Sequence, residues 1–251
     1  MTTNRVAWLT PDDPPSAFPS IYAALTEPDG LLAAGGDLSR DRLLYAYRHG
    51  IFPWYDDGQP ILWWSPDPRC VLPVGAFHVS KRLRRDISKS TATLTFNRDF
   101  AAVIDACAEP RRSQQGTWIT DEMADAYVAI HRDGWAHSVE VWQGERLIGG
   151  MYGLAIGRVF FGESMFSRED NASKFALLGL CRVLDLRGFE LVDCQLVSEH
   201  LLTLGATAMP RAEFAELLRV HCDPAVPIES WPADPISVSE LNSAGPVASL
   251  Q

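Results

Sequence analysis

The sequence predicts an α+β protein. Two observations carry that expectation: three short apolar strands joined by glycine turns between residues 137 and 161, and the helix, strand and short helix that follow them as far as Leu204. The length, 251 residues, allows one large domain or two unequal ones, each with its own core.

The elements follow in order. The first twenty residues are rich in Pro and Asp and read as a loose arm, with packing expected from Phe18 and Ile21. Leu38–Phe52 reads as a helix capped by Asp37 or Ser39, with Leu43, Leu44, Tyr47 and Ile51 at helical spacing and Gly50 and Pro53 as stops. Prolines 53, 60, 66 and 68 then divide an aromatic stretch into rigid turns, which suggests a domain boundary near residue 67. Arg69–Pro73 reads as a strand, His78–Ile87 as a helix, Ala92–Phe96 as a strand and Arg98–Ala108 as a helix. Asp121–Asp133 is a further helix, closed by Gly134. His137–Trp142, Arg146–Leu154 and Arg158–Phe161 form the antiparallel meander, turned at Gly144 and near Gly157. Helix Asn171–Leu186, strand Glu190–Cys194 and helices Ser198–Leu204 and Glu213–Val220 complete the expected core. Residues 223–251 read as a Pro/Ala/Ser-rich, poorly ordered tail, and of the eight tryptophans Trp8 and Trp231 read as surface groups. This order is compatible with an acyltransferase-type core.

Charge narrows the partners. The net charge of −10 argues against a general nucleic-acid binder. Residues 63–120, however, hold nine basic and five acidic groups, while residues 121–251 hold nine and nineteen. The basic island is densest in HVSKRLRRDISK, with Lys81, Arg82, Arg84, Arg85 and Lys89. It could meet a polyanion, but composition alone favours a solvated helix face. The five cysteines are odd in number, widely spaced and form no CxxC pair, so neither a disulfide framework nor a zinc knuckle is indicated. No segment reads as a signal peptide or approaches eighteen apolar residues; a reducing cytoplasm is the expected home.

Standard catalytic machinery is missing from the sequence. There is no Walker-type phosphate loop, HExxH or GxSxG, and the six histidines form no close ligand set, so they read as packing or surface groups. What remains is polar residues in apolar surroundings. Glu163 follows Phe160-Phe161-Gly162, and Asp193 and Gln195 end the strand of GFELVDCQL. Strand alternation puts Asp193 and Gln195 on one face, opposite Cys194. Such groups are either hydrogen-bonded for structure, or placed to handle an attacking amine. The string GESMFSREDNASK leads into a helix start at Asn171 or Ser173, a weak anion-site signal. Trp54 and Trp118 could stack on a base, or pack in the core.

Longer strings then match one family. GLLAAGGDLS (30–39), YRHGIFPWY (47–55), ILWWSPDPR (61–69), GTWI (116–119), HSVEVW (137–142), IGGMYG (148–153), FFGESMFSREDNASK (160–174) and LVDCQL (191–196) occur in order over most of residues 18–222. The chain resembles the leucyl/phenylalanyl-tRNA–protein transferase family. The resemblance implies a small N-terminal α/β domain over residues 1–67 and an acetyltransferase-like (GNAT-like) catalytic domain over 68–222, with 223–251 as the tail. It also implies a reaction: leucine or phenylalanine, less readily methionine, passes from aminoacyl-tRNA to the N-terminal Arg or Lys of an acceptor protein, marking it for degradation. No ATP, metal or other cofactor is implied, since the aminoacyl ester is already activated. No DNA or membrane partner is implied either, and a monomer is expected.

The same resemblance assigns residues. Trp54 and Trp118 match contacts to the terminal adenosine of the tRNA, and Tyr47 a position near that end. Met151 and Phe160 match the lining of the apolar pocket for the transferred side chain, and Glu163 a polar residue there. Asp193 and Gln195 match the pair assigned to the chemistry. Either Gln195, oriented by Asp193, accepts a hydrogen bond from the attacking amine, or the proton passes to the tRNA ribose while the protein positions and polarises; the sequence leaves both open. The resemblance turns the basic island toward contact with the tRNA backbone. Arg111 and Arg112 stay unassigned beyond a phosphate contact. Two other readings compete: an acyl-CoA-dependent N-acetyltransferase, against which the missing R/QxxGxG/A loop counts, and a non-catalytic tRNA- or N-terminus-binding module, against which intact Asp193 and Gln195 count.

Overall fold

The computed structural model describes residues 6–109, 119–222 and 231–242. The chain begins with a small sheet that the sequence does not announce. Strand β1 (Ala7–Leu9) pairs in parallel with β2 (Leu31–Gly35), and helix α1 (Arg40–Arg48) follows. Strands β3 (Phe52–Pro53) and β4 (Leu62–Trp64) complete it in the order β1-β2-β4-β3. Helix α1 is shorter than expected. Asp37 Oδ1 accepts from the Ser39 backbone N–H at 2.8 Å ahead of it, and Gly50 turns the chain at φ +74.

The second sheet begins at β5 (Arg69–Pro73). Helix α2 (Lys81–Lys89) starts later than the sequence suggests because Ser80 caps it, its Oγ accepting from the Leu83 N–H at 3.2 Å. Then come β6 (Thr93–Phe96), α3 (Phe100–Ala108), α4 (Asp121–Arg132) and the meander β7 (Ala136–Gln143), β8 (Arg146–Ile156) and β9 (Val159–Ser167). Helix α5 (Ala172–Leu186), strand β10 (Leu191–Gln195), helix α6 (Glu199–Thr203), strand β11 (Thr207–Met209) and helix α7 (Arg211–His221) lead to a short β12 (Ile236–Ser237). The strand order is β11-β5-β10-β9-β8-β7-β6-β12; β9 and β10 run parallel inside an otherwise antiparallel sheet. This is a mixed α+β fold.

Strand alternation divides the core between the two faces of this sheet. On one face Val71, Tyr152, Leu154, Phe161 and Leu191 pack with residues of α1, α3, α4, α7 and the first sheet. On the other, Leu72, Leu94, Val139, Met151, Phe160 and Val192 pack with α2, α5 and the residues around β12. Gly149 in β8 lets α5 close in, since a side chain there would begin 2.5 Å from Ala172 Cβ.

Two expectations are corrected. The segment after residue 223 is not simply a loose tail. Strand β12 pairs with β6, and Ile236, Val238 and Leu241 are buried; their burial outweighs the Pro/Ala/Ser composition around them. Trp231 is no surface group either. It stacks on Phe96 at 5.7 Å between ring centroids and lies against His137 at 4.6 Å. Trp8 is 68% exposed, as expected.

Candidate functional site

Two irregularities in neighbouring strands create the site. Strand β10 pairs with β9 only as far as Asp193–Phe161, while β9 continues along β8 to Ser167. At the point of separation each strand carries a bulge. Along β9 and β8 the pairing passes from Gly153–Gly162 to Tyr152–Ser164, leaving Glu163 unpaired. Along β10 and β5 it passes from Asp193–Val71 to Gln195–Cys70, leaving Cys194 unpaired. A bulge supplies an extra residue that the ladder does not hold, and so can aim a side chain out of register. Asp193 and Gln195 reach the side away from Cys194 as alternation suggests, but the ladder between them is broken. Gln195 adopts φ +56, a left-handed conformation that costs a non-glycine residue of order 1 kcal/mol or more.

Arg69 holds this strained end. Its Nε and Nη2 donate to Asp193 Oδ1 and Oδ2 at 2.8 and 2.7 Å, and Nη1 donates to the Gly50 carbonyl at 3.0 Å. The guanidinium lies 4.8 Å from the ring centroids of both Phe52 and Phe214. Both charged side chains are buried. Asp193 Oδ1 also accepts from the Gln195 backbone N–H at 3.0 Å, which fixes the turn that Gln195 makes. The carboxylate is thereby committed on both oxygens, which suits it to positioning rather than to taking a proton from a substrate.

Glu163 links the glutamine to a tyrosine pair. Gln195 Nε2 donates to Glu163 Oε1 at 3.4 Å, Tyr127 OH donates to Glu163 Oε2 at 2.8 Å, and Tyr47 and Tyr127 share a short hydrogen bond between their hydroxyls. Burial pushes the Glu163 carboxyl up to about 7, against the lowering effect of the two tyrosine hydroxyls. Burial likewise raises both phenols well above the ordinary tyrosine value, and the neighbouring Glu163 charge adds to it. With Nε2 engaged, the remaining polar atom of the Gln195 amide is Oε1, an acceptor. The constellation therefore offers a fixed hydrogen-bond acceptor beside a carboxyl group that changes charge near neutral pH.

Sequence comparison places the chain among known proteins. The family described as Leucyl/phenylalanyl-tRNA protein transferase matches residues 71–219, and its N-terminal domain matches residues 36–67. The chain belongs to this family. A relative named leucyl/phenylalanyl-tRNA–protein transferase from Pseudomonas fluorescens (strain SBW25) is 55% identical over 87% of this chain and 96% of its own length. One of the same name from Pseudomonas aeruginosa (strain LESB58) is 57% identical over 87% and 96%. Two solved structures align at lower identity: a GCN5-related N-acetyltransferase from Kribbella flavida aligns at 10% identity and TM-score 0.36 over 66% of this chain and 59% of that one. The L-PGS of Bacillus licheniformis aligns at 13% identity and TM-score 0.37 over 65% and 55%.

Within this member of the family, the candidate residues fall into three groups. Tyr47, Glu163, Asp193 and Gln195 come together in one network. Met151 and Phe160 are buried on the other face of the sheet, and Met151 Cε lies 3.7 Å from where a side chain on Gly162 would begin. Trp54 is 40% exposed, with its backbone carbonyl accepting from Trp64 Nε1 at 2.7 Å. Lys81, Arg82, Arg84, Arg85 and Lys89 are all exposed, on a helix anchored by buried Leu83 and Ile87, away from the network. Asp86 makes ion pairs with Arg82 and Arg85 at 3.9 and 3.6 Å. Trp118, Arg111 and Arg112 lie outside the described residues. Sequence reasoning missed Arg69 and Tyr127. Arg69 carried a signal, since a cation heading a strand of buried residues needs a partner. Tyr127 carried none, because its spacing on α4 reads as core.

Proposed function

We propose that the protein transfers leucine or phenylalanine, less readily methionine, from aminoacyl-tRNA to the N-terminal Arg or Lys of acceptor proteins, and that Gln195 handles the attacking amine. The activity follows from family membership over most of the chain; the role of Gln195 rests on the Arg69–Asp193–Gln195–Glu163 network. Arg69 fixes Asp193, Asp193 fixes the backbone of Gln195, and Glu163 fixes the amide. Gln195 Oε1 then accepts a hydrogen bond from the acceptor's neutral α-amino group as its nitrogen attacks the ester carbonyl. The carbon–oxygen bond to the tRNA ribose breaks, and the amine's proton ends on that ribose oxygen. Gln195 orients the nucleophile without holding the proton, because an amide is not a base near neutral pH.

The remaining assignments extend this reading. Residues 1–67 act as a small domain, supplying Tyr47 and Trp54 to the 3′ end of the tRNA, and residues 68–222 act as a GNAT-like catalytic domain, acting as a monomer. Trp54 and Trp118 stack on the terminal adenosine. Met151 and Phe160 receive the transferred side chain, whose shape decides against Ile and Val, since a methylene in an apolar pocket is worth only about 1–3 kcal/mol. The exposed face of α2 meets tRNA phosphates. Glu163 favours a cationic acceptor once ionised. The test is transfer of labelled phenylalanine from Phe-tRNA to an Arg-initiated peptide. Label in the peptide is expected; no label, under conditions where the tRNA still binds, would sink the transferase reading.

A further inference from the structure

Cys70 and Cys194 are 124 positions apart in the sequence, yet the fold makes them cross-strand neighbours beside Gln195. The ladder between β5 and β10 pairs Pro73 with Leu191, Leu72 with Val192 and Val71 with Asp193, so the next rung would join Cys70 to Cys194. The bulge at that rung sets Cys194 and Gln195 together against Cys70. A bulge sets two residues of one strand against one of the other, so Cys194 stays beside Cys70 although the registered partner is Gln195, and a disulfide spans Cα atoms about 4.4–6.8 Å apart. Both cysteines belong to the same face of the sheet, and the Cys194 thiol donates to the Val192 carbonyl at 3.7 Å.

The environment makes this pair unlike the other cysteines. Cys194 is partly exposed, whereas Cys70, Cys107, Cys181 and Cys222 are buried. The neighbouring Cys194 side chain, with the Ser198 backbone and the Arg69 charge, lowers the Cys70 thiol from its ordinary value against burial and the Asp193 charge. The neighbouring Cys70 side chain and burial raise Cys194 well above its ordinary value. Burial pushes both Cys181 and Cys222 up to about 12, which leaves them protonated and unreactive.

We propose that Cys70 and Cys194 form a peroxide-sensitive disulfide site that switches the transfer centre off. The Cys70 sulfur, the more acidic of the pair, attacks one oxygen of hydrogen peroxide; the oxygen–oxygen bond breaks, and the departing hydroxide takes the Cys70 proton as water, leaving a sulfenic acid on Cys70. The Cys194 sulfur then attacks the Cys70 sulfur. The sulfur–oxygen bond breaks, and the departing hydroxide takes the Cys194 proton as a second water. Two thiols and one peroxide become one disulfide and two waters; a dithiol reductant reverses the bond by exchange. Drawing Cys194 toward Cys70 reshapes the bulge that sets the left-handed turn of Gln195. The loss of transfer rests on the function proposed above, whereas the crosslink does not.

The experiment treats the reduced, full-length protein with hydrogen peroxide and follows thiols and transfer together. The five thiols titrated in denaturant should fall to three, with a mass loss of two hydrogens and a linked peptide pair carrying Cys70 and Cys194. Transfer to the Arg-initiated peptide should fall roughly a hundredfold, the scale of a misplacement of about 1 Å, and return with dithiothreitol. Cys70→Ala, with Cys70→Ser as a second variant, should keep its transfer through the same treatment. Five surviving thiols, a crosslink that leaves transfer unchanged, or equal loss in both Cys70 variants would each overturn the proposal. Absent transfer before oxidation would instead count against the proposed function, while thiol count and mass would still judge the crosslink.

Discussion

Replacing Arg69 with methionine keeps much of the side-chain volume and removes the charge. Three hydrogen bonds go, two to Asp193 and one to the Gly50 carbonyl, together with a cation held against two phenylalanine rings. The dominant cost is the Asp193 carboxylate, which is wholly buried and keeps only the Gln195 N–H as partner. Breaking one side of a buried pair costs about 3–5 kcal/mol. For a chain of this size that lowers the melting temperature by roughly 6–20 °C. Asp193→Leu together with Arg69→Met should recover most of the loss, because an apolar pair of similar volume removes the stranded charge. Urea or thermal unfolding of the two single variants and the double variant closes the cycle. A loss of less than about 1 kcal/mol for Arg69→Met, or a double variant no better than the singles, would refute the view that this ion pair holds the site. Transfer should be poor in all three, since each removes a support of the turn at Gln195, either Asp193 itself or the Arg69 that fixes it.

Other perturbations probe Glu163, helix α2 and the segment after residue 231. The Glu163 carboxyl is raised from 4.5 to about 7, so its neutral form is favoured in the folded state. Its stabilising contribution is complete below the unfolded value and is lost as pH rises toward 7. Glu163→Gln should therefore gain stability over the parent across that window, by at most about 3 kcal/mol and less with solvent access, in unfolding curves taken at pH 4.5, 6 and 8. The same variant should flatten the pH dependence of KM for an Arg-initiated peptide; an unchanged profile would remove Glu163 from acceptor recognition. Neutralising Lys81, Arg82, Arg84 and Arg85 together should weaken tRNA binding and reduce its salt slope by roughly 0.7–0.9 for each phosphate no longer neutralised, and unchanged affinity would return α2 to a solvated face. Leu241→Ala should cost about 2–5 kcal/mol if the segment after residue 231 is part of the core, and next to nothing if it is a detachable tail.

Local signals in the sequence were enough for some elements. The helices carry apolar residues at helical spacing: Val103, Ile104 and Cys107 on α3 and Met123, Tyr127 and Ile130 on α4 are buried as such spacing requires. The meander was legible because Gly144 and Gly157, at φ +60 and +58, turn strands of eight residues and more. The first sheet was not, because its strands are two to five residues long and are defined by partners far along the chain. Strand β12 was hidden by the averaging of three buried residues into a polar, proline-rich background. At the site, the polar exceptions Glu163, Asp193 and Gln195 stood out from apolar neighbours. Their organiser did not, since Arg69 meets Asp193 across 124 positions. The bulges at Glu163 and Cys194 are irregularities of pairing, which no single strand's sequence records.

On the mechanism proposed above, Gln195 acts on the attacking amine and not on the tRNA. Single-turnover transfer from labelled Phe-tRNA to an Arg-initiated peptide, measured for the parent and for Gln195→Ala beside the Kd for the tRNA, tests it most directly. The expected result is a transfer rate lower by roughly two to three orders of magnitude with Kd nearly unchanged, the scale of losing a positioned polar group at a reacting centre. A parallel fall in rate and affinity, or a rate that survives the loss of the amide, would contradict it.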